Sequence, residues 1–388
     1  MPATPVPLHR SQPVGPAWTD EARELLNLVR HLAAAELAPR VERHEAEAVF
    51  PRELLRTLGR VGLLGLPYPE QYGGGAQPYE VYLTVLETLA QHWLGVAQSV
   101  NIHVLSCYGL AAFGTEEQRA AWLPDMLSGE LLGANCISEA EAGSDISAVR
   151  TTATPHENDY VVSGVKSWVS HAGAADYYNV FCRTGGDGVR GLSLLLAPAD
   201  TPGIHPQAHE RKMGVRSSPT AQVVFDAAEI SQDRRIGRPG KGFLIAMGLF
   251  DRGRLGIAAC AVGLAQAALD YAVTYAKSRL QFGKPIISFQ GIGFMLADMA
   301  TQVAAARSLL LDAARRFDAG QPSSAAAAQA KLFATDTAMR VTTDAVQVLG
   351  GYGYVADHPT ERWMREAKLL QLIEGTNQIQ RLVISTSL

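Results

Sequence analysis

The chain has 388 residues, of which 47 % are hydrophobic and 19 % charged, and its formal net charge is -4. This composition is typical of a globular protein, and the length is sufficient for two or three domains with buried cores. The absence of a basic excess argues against a nucleic-acid-binding protein. The apolar stretch 255–269 is interrupted by Gln266 and is too short to span a bilayer. We therefore expect no membrane segment.

Cysteine and histidine usage argues against metal and disulfide chemistry. The four cysteines are far apart and form no CxxC pair, so we expect buried, reduced thiols. None of the 10 histidines has the spacing of metal ligands, so we predict no metal site. Residues 1–16 are rich in proline and lack the apolar core of a secretory signal. A cytoplasmic location is the plain expectation.

The pattern of apolar residues divides the chain into three regions. Residues 18–131 have helical periodicity, and Thr19 is a candidate N-cap of the first helix because Asp20 and Glu21 follow it. Residues 132–235 contain short β-branched and aromatic runs between turn signals, with strands predicted at 160–162, 177–182, 192–196 and 222–225. Residues 236–388 return to helical periodicity, with helices predicted at 243–278, 289–317, 323–349, 360–372 and 377–385. The predicted fold is mainly α, with a barrel-like β domain between an N-terminal helical domain and a C-terminal helical bundle.

Glu374 is the strongest candidate for a catalytic group. Apolar residues precede it, including Leu372 and Ile373, and Gly375 follows it. A carboxylate held against apolar walls loses hydration, so its pKa rises from about 4.3 toward neutrality. That pKa suits a general base that removes a proton from a weak carbon acid. Thr376 is a plausible N-cap of the last helix.

Four further motifs contain groups suited to a flat, phosphorylated ligand. They are SEAEAGSD at 138–145, KSWVS at 166–170, RLQFGKP at 279–285 and QVLGGYGY at 347–354. Trp168 offers an aromatic face for stacking, Arg279 offers a fork for phosphate oxygens, and glycines at 350 and 351 permit close backbone approach. Each motif alone also fits an ordinary structural role, such as a polar turn, a core tryptophan or a helix stop. No GxGxxG follows a predicted strand, so this is not a Rossmann flavoprotein.

Together, these motifs and the order of the three regions resemble the acyl-CoA dehydrogenase family over nearly the whole chain. The resemblance implies FAD as cofactor and the α,β-dehydrogenation of an acyl-CoA to a trans-2-enoyl-CoA. Glu374 would remove the α-proton, and the β-hydrogen would leave as hydride to flavin N5. The implied cofactor-binding residues are Ser138, Trp168, Ser170, Arg279, Gln281, Phe282, Gln347, Gly350, Gly351, Thr376 and Gln378.

The resemblance also implies substrate contacts at Ser144, Arg254 and Gly375. Some relatives carry the catalytic carboxylate at the position of Gly253, and glycine there leaves room for Glu374. The chain departs from the family pattern at Ala140-Glu141, where Pro-Gly is usual, and at Ser170, where threonine is more frequent. Ile373 replaces a common tyrosine. These departures affect the ligand loop and the shape of the acyl cavity.

The implied partners are an acyl-CoA substrate, an electron-transfer flavoprotein as electron acceptor, and further copies of the chain. Because the Arg279 loop serves the FAD of a neighbouring subunit in the family, the assembly is at least a dimer and commonly a homotetramer. Two alternatives stay open, an acyl-CoA oxidase of the same fold and a non-catalytic scaffold. Gly253 and the overall pattern resemble short-chain and branched-chain members. The acyl chain, and the choice between CoA and an acyl carrier protein, are not determined.

Overall fold

A computed structural model describes residues 18–388, so the proline-rich leader predicted at 1–16 lies outside the described residues. The N-terminal part is helical. Thr19 Oγ1 accepts a hydrogen bond from Ala22 N at 3.1 Å, which confirms the predicted cap of the first helix. The helices are α1 (Asp20–Leu32), α2 (Val41–Glu47), α3 (Arg52–Arg60), α4 (Tyr79–His92), α5 (Leu94–Phe113) and α6 (Glu116–Leu127). A π-helical turn, Ala33–Leu37, extends α1.

The middle part contains eight strands in one sheet, in the order β6-β7-β3-β2-β4-β5-β8, with β1 paired to β4. The two 12-residue strands, β3 and β7, pair antiparallel with register shifts between Val162 and Gly164 and between Lys166 and Val169. The sheet encloses a core of its own. The strands are β1 (Gly133–Cys136), β2 (Thr152–His156), β3 (Asp159–Ser170), β4 (Tyr177–Arg183), β5 (Leu192–Pro198), β6 (Ile204–Pro206), β7 (Thr220–Ser231) and β8 (Arg235–Ile236).

The predicted strands were too few and too short. The strands predicted at 160–162 and 222–225 are parts of β3 and β7, which continue with a mixture of exposed and buried residues, including the buried Val169 and Ile230. Strand β1 was not predicted because its sequence, Gly133-Ala134-Asn135-Cys136, has low β propensity. Strand β2 contains Pro155, which argues against a strand in sequence reasoning.

The C-terminal part is a helical bundle around the 37-residue helix α7 (Gly242–Ser278). Helix α7 packs against α4, α5, α8 (Gln290–Asp318) and α9 (Ser324–Leu349). The remaining helices are α10 (Gly351–Tyr354), α11 (Thr360–Leu370) and α12 (Asn377–Ser385). The helix predicted at 360–372 ends at Leu370, where the chain turns toward Glu374. This arrangement confirms the predicted fold class.

A short hairpin separates α7 from α8. Strands β9 (Leu280–Gln281) and β10 (Lys284–Pro285) pair antiparallel across Phe282 and Gly283. Both loop residues have positive φ, 51° and 77°, as a type I′ turn requires. This conformation presents the Phe282 ring to the outside, where the residue is 93 % exposed.

Three helices are long and apolar enough to cross a membrane by length and composition, so the expectation that no stretch has the required length was wrong. It failed because an apolar window tolerates isolated polar residues such as Gln266. The segments are α5, α7 and α8, and the apolar windows of the first two are each 78 % buried inside the fold. In these two helices the apolar residues form the core. The corresponding window of α8 is 28 % buried.

The expectation of buried, reduced thiols is confirmed. Cys107, Cys136, Cys182 and Cys260 are free and buried. Burial raises the pKa of each thiol to about 12, so all four remain protonated at neutral pH.

Candidate active site

Glu374 lies in a tight turn between α11 and α12. Thr376 Oγ1 accepts a hydrogen bond from Ile379 N at 3.3 Å, which confirms the predicted N-cap of α12. Glu374 and Gly375 both have positive φ, 53° and 81°. A non-glycine residue held in this region costs about 1–3 kcal/mol, and such strain concentrates at functional sites. The turn therefore needs support from its surroundings.

The Glu374 carboxylate lies against α7 at the position where the helix has no side chain. A Cβ built on Gly253 would be 2.1 Å from Glu374 Oε2. Oε2 is buried and has no hydrogen-bond partner in the described part of the chain. Burial raises the pKa of Glu374 to about 7, and the charges of Arg254 and Lys331 oppose that rise. The predicted rise of the Glu374 pKa is thus present, but the wall is α7 at Gly253, whereas the flanking Leu372 is 53 % exposed.

Arg254 is the cation next to Gly253 on α7. The side chain is buried, and its Nη1 donates to Asp251 Oδ1 at 2.7 Å. Its Nε is buried without a partner among the described residues. Asp251 Oδ2 in turn accepts from Ser324 Oγ at 2.5 Å, which ties α7 to the start of α9. Arg254 is thus held in place by Asp251, while its Nε remains a buried donor without a partner among the described residues.

Trp168 lies on β3 of the middle domain, at the register shift between Lys166 and Val169. The residue has φ 59° and is 65 % exposed, so the ordinary explanation of a core tryptophan is wrong here. The bulge turns the indole out of the sheet, as bulges near functional sites commonly do. Ser170 follows at the end of the same strand, half-buried and paired with Thr220.

The loop that contains Ser138 is fastened to the same strand. Ser138 O accepts from Ser167 N at 2.8 Å. The buried Lys166 ammonium donates to Ile137 O and to Glu139 Oε1, each at 2.9 Å. Ser138 and Trp168 are therefore held on one rigid piece, whereas Ser144, further along the loop, is exposed.

A second group of predicted residues lines a cavity of about 520 Å³ at the ends of α7 and α9. Arg279, Gln281, Gly350 and Gly351 are among its lining residues, and a Cβ on either glycine would meet no atom within 4 Å. Glu374 and Trp168 do not line this cavity. Of the remaining predicted residues, Gln347 and Gln378 are exposed and lie outside this lining. Phe282 also lies outside it, on the hairpin.

Sequence reasoning missed two buried lysines beside the predicted loops. Neither lysine is among the predicted site residues, although Lys166 lies in the motif at 166–170. Both have relative exposures of 0 %. A signal was available for Lys331, which is a single charge within the alanine-rich start of α9 and follows Ala325–Ala328 closely. Lysine is rarely buried without a specific partner.

Comparison with known proteins agrees with this architecture. Three family models match in series: acyl-CoA dehydrogenase N-terminal domain at residues 19–130, middle domain at 134–228 and C-terminal domain at 240–388. An acyl-CoA dehydrogenase of Bacillus subtilis is 42 % identical over 369 residues, which cover 95 % of this chain and 97 % of that protein. The chain belongs to the acyl-CoA dehydrogenase family. It is an oxidoreductase, and the alternative of a non-catalytic scaffold is not supported.

Solved structures of this family superpose closely on the chain. Butyryl-CoA dehydrogenase from Megasphaera elsdenii has a TM-score of 0.93 and 40 % identity, over 95 % of this chain and 98 % of that one. A chain from a structure described as the electron transferring flavoprotein of Acidaminococcus fermentans has a TM-score of 0.94 and 40 % identity, with coverages of 95 % and 98 %. The family resemblance found in the sequence is thereby confirmed.

The contact between Gly253 and Glu374 leads to a prediction for Gly253→Ala. The new methyl group would displace the Glu374 carboxylate, which is the flexible end of a side chain, so the fold should tolerate it. Alanine in a helix should add about 0.5–1 kcal/mol to the free energy of unfolding. The rate at which acyl-CoA reduces an electron acceptor should nevertheless fall at least about tenfold, because the predicted base would be displaced and misplaced catalytic groups lose rate steeply.

Gly291→Ala is the matched control for this variant. Gly291 is also helical, on α8, and a Cβ there would meet nothing within 4 Å. It should leave the reduction rate within about twofold while changing stability in the same direction. Equal rates for Gly253→Ala and the unmodified protein would show that the position of the carboxylate does not matter.

Proposed function

We propose that this protein is an FAD-dependent acyl-CoA dehydrogenase that converts a short-chain or branched-chain acyl-CoA to the trans-2-enoyl-CoA, with Glu374 as the base. The observation that supports this most strongly is the state of Glu374. Its Oε2 is buried, has no protein partner among the described residues, and lies where α7 has a glycine. A carboxylate with those properties is ready to accept a proton from a substrate placed against it.

The described residues fit FAD as the cofactor. Trp168 presents an exposed aromatic face, and Ser138 and Ser170 place hydroxyl groups nearby on the same rigid piece. Arg279, Gln281, Gly350 and Gly351 would hold the phosphate and adenosine half, since they line an open cavity with an arginine and unobstructed glycines. Thr376, Gln378, Gln347 and Phe282 complete the proposed contacts. When bound, FAD would supply the two-electron acceptor for the β-hydrogen.

The residues of the chain would act on the α-carbon side of the substrate. Glu374 takes the α-proton, and Gly253 provides the space for its carboxylate. A backbone N–H near Gly375 holds the thioester carbonyl, where negative charge develops as the proton leaves. Arg254 stabilises the ionised form of Glu374, and its free Nε faces a buried environment in which a charge has strong effects. Ser144, on the exposed part of its loop, is proposed to lie along the path of CoA.

The proposed substrate class is supported by relatives as well as by Gly253. A relative of 40 % identity is a butyryl-CoA dehydrogenase, which acts on a short acyl chain. A screen of flavin reduction over acyl-CoA length and branching would define the substrate. An acyl carrier protein thioester belongs in the same screen.

We also propose an oligomer of at least two copies, most simply a homotetramer, in the cytoplasm. The Arg279 cavity lies apart from the Glu374 turn, and the neighbouring hairpin exposes Phe282 and Leu280. Exposed apolar residues beside an open cavity are suited to a subunit interface. A second copy would cover these side chains.

The proposed electron acceptor is an electron-transfer flavoprotein, supported by similarity to the Acidaminococcus fermentans chain. The reduced protein should transfer electrons to such an acceptor much faster than to oxygen. Stopped-flow reoxidation in the presence of the acceptor or of air tests this directly. Rapid peroxide formation in air would instead favour the acyl-CoA oxidase alternative.

Glu374→Gln tests the assignment of the base. The amide has nearly the same shape but cannot accept the proton, so flavin content should remain while bleaching by acyl-CoA slows about 1,000-fold. Glu366→Gln is the matched control, because Glu366 is a second buried carboxyl whose pKa burial raises to about 7, but it pairs with Arg362. The control should bleach at close to the normal rate, and normal bleaching by Glu374→Gln would overturn the assignment.

The pH dependence follows from the same carboxyl. Its pKa lies at about 7, above the ordinary value, so Glu374 is largely protonated in mildly acidic solution and cannot act as a base. The rate of flavin reduction should therefore increase with pH through about 7 and, at lower pH, fall about tenfold per unit. A profile already flat between pH 5 and 8 would contradict this prediction.

A further inference from the structure

Lys331 is a fully buried lysine whose ammonium lies beneath the Glu374 turn. It belongs to α9, and its Nζ donates to Gly375 O at 2.9 Å and to Asn377 Oδ1 at 2.8 Å. In the described part of the chain no carboxylate forms a salt bridge with Lys331. A buried charge costs free energy unless it is paired with an opposite charge and hydrogen-bonded. The partner groups are a backbone carbonyl and an amide, both on the segment that contains Glu374.

Other hydrogen bonds hold the turn and the residue that follows it. Gln380 Nε2 donates to Gly375 O at 2.8 Å and to Glu374 O at 3.2 Å. Asn377 Nδ2 donates to Thr335 Oγ1 at 2.9 Å and to Asp336 Oδ1 at 2.7 Å. The turn is thus fastened from α9 and from α12. These bonds explain how two successive residues of positive φ are maintained at the end of α11.

We propose that Lys331 is a positioning residue for Glu374, which holds the Glu374–Gly375 turn through the Gly375 carbonyl and, together with Arg254, supplies positive charge that favours the ionised form of Glu374. This proposal rests on the proposed function of Glu374 as the base. As a positioning residue, Lys331 would touch neither substrate nor cofactor. It acts through the position and the charge state of the carboxylate.

The charges that face this pair come from several elements. Glu374 is faced by Lys331 of α9, by Arg254 of α7 and by the Tyr79 hydroxyl of α4. Lys331 is faced by Glu374, by Asp336 on its own helix and by Arg254. Arg254 forms a salt bridge with Asp251, with 2.7 Å between Nη1 and Oδ1, whereas Lys331 has only neutral hydrogen-bond partners. Lys331 is therefore the less compensated of the two cations near Glu374.

Burial lowers the pKa of Lys331 to about 8, while Glu374 has its pKa at about 7. The lysine is positively charged below its pKa, and the carboxylate is negatively charged above its own. Both groups therefore titrate near neutral pH, so the charge on each changes over the same pH range. Above about 8 the lysine loses its charge, and the electrostatic support for Glu374 weakens.

The test compares three variants of the FAD-loaded protein. Lys331→Gln keeps a hydrogen-bond donor but removes the charge, Lys331→Arg restores the charge, and Thr335→Val disturbs the same network without changing charge. The acid limb of the flavin-reduction profile should move up by about one pH unit or more in Lys331→Gln, the scale of a nearby opposite charge. It should stay close to its normal position in Lys331→Arg and Thr335→Val.

Infrared titration of the Glu374 carboxyl, assigned from the difference against Glu374→Gln, gives a readout that needs no turnover. Its midpoint should move upward in Lys331→Gln, and the reduction rate lost at neutral pH should be largely regained at higher pH. If Lys331→Gln does not fold, the infrared titration of the unmodified protein tests the proposal instead. There the Glu374 band should respond again as Lys331 deprotonates near pH 8.

An unmoved acid limb together with an unmoved carboxyl midpoint would overturn the proposal, as would a Glu374 band indifferent to Lys331 deprotonation. These results differ from a failure of the proposed function. If no acyl thioester reduces the flavin, the dehydrogenase assignment fails, yet the infrared titration still reports whether Lys331 controls Glu374.

Discussion

The site depends on one contact, that of a carboxylate oxygen with the bare backbone of a helix. Glu374 Oε2 occupies the space that a side chain at position 253 would fill. Since the oxygen is buried and unpaired, the carboxyl group has a high proton affinity, and its pKa is raised to about 7. Helix α7 provides this space because residue 253 is glycine, and the helices packed against α7 hold that position in place.

Two buried lysines have similar roles in the two domains that face the proposed ligands. Lys166 binds the carbonyl of Ile137 and the carboxylate of Glu139, and so fixes the loop that contains Ser138. Lys331 binds the carbonyl of Gly375 and fixes the Glu374 turn. In both cases an ammonium with three donors holds an irregular segment that has no secondary structure to define it. Irregular segments can then be as precisely placed as the helices beside them.

The sequence allowed the fold class, most C-terminal helices and the Glu374 setting to be predicted, because each depends on local patterns. Long apolar periodicity defined α7, α8 and α9 to within one or two residues. The N-caps at Thr19 and Thr376 followed from a single residue type at a helix start. The raised pKa of Glu374 was predicted from its apolar neighbours, but the contact that buries the carboxylate is with Gly253, distant in sequence, and was suggested by family resemblance.

Other features depend on contacts between distant residues and were not predictable from local patterns. Strand β1 pairs in parallel with β4, and nothing in Gly133-Ala134-Asn135-Cys136 indicates that pairing. The outward turn of Trp168 results from a register shift between β3 and β7. Lys331 is the single charge in the alanine-rich start of α9, but its partner, the Gly375 carbonyl, lies 44 residues later in the chain, and no local pattern indicates that contact.

The four buried cysteines have a practical consequence for studying this protein. Because burial keeps every thiol protonated and inaccessible, alkylating reagents should find no target while the chain is folded. Modification would then require the surrounding structure to open, so the rate of alkylation would measure that opening. A cysteine added at an exposed position would be labelled selectively, which makes the native chain a suitable background for attaching spectroscopic probes.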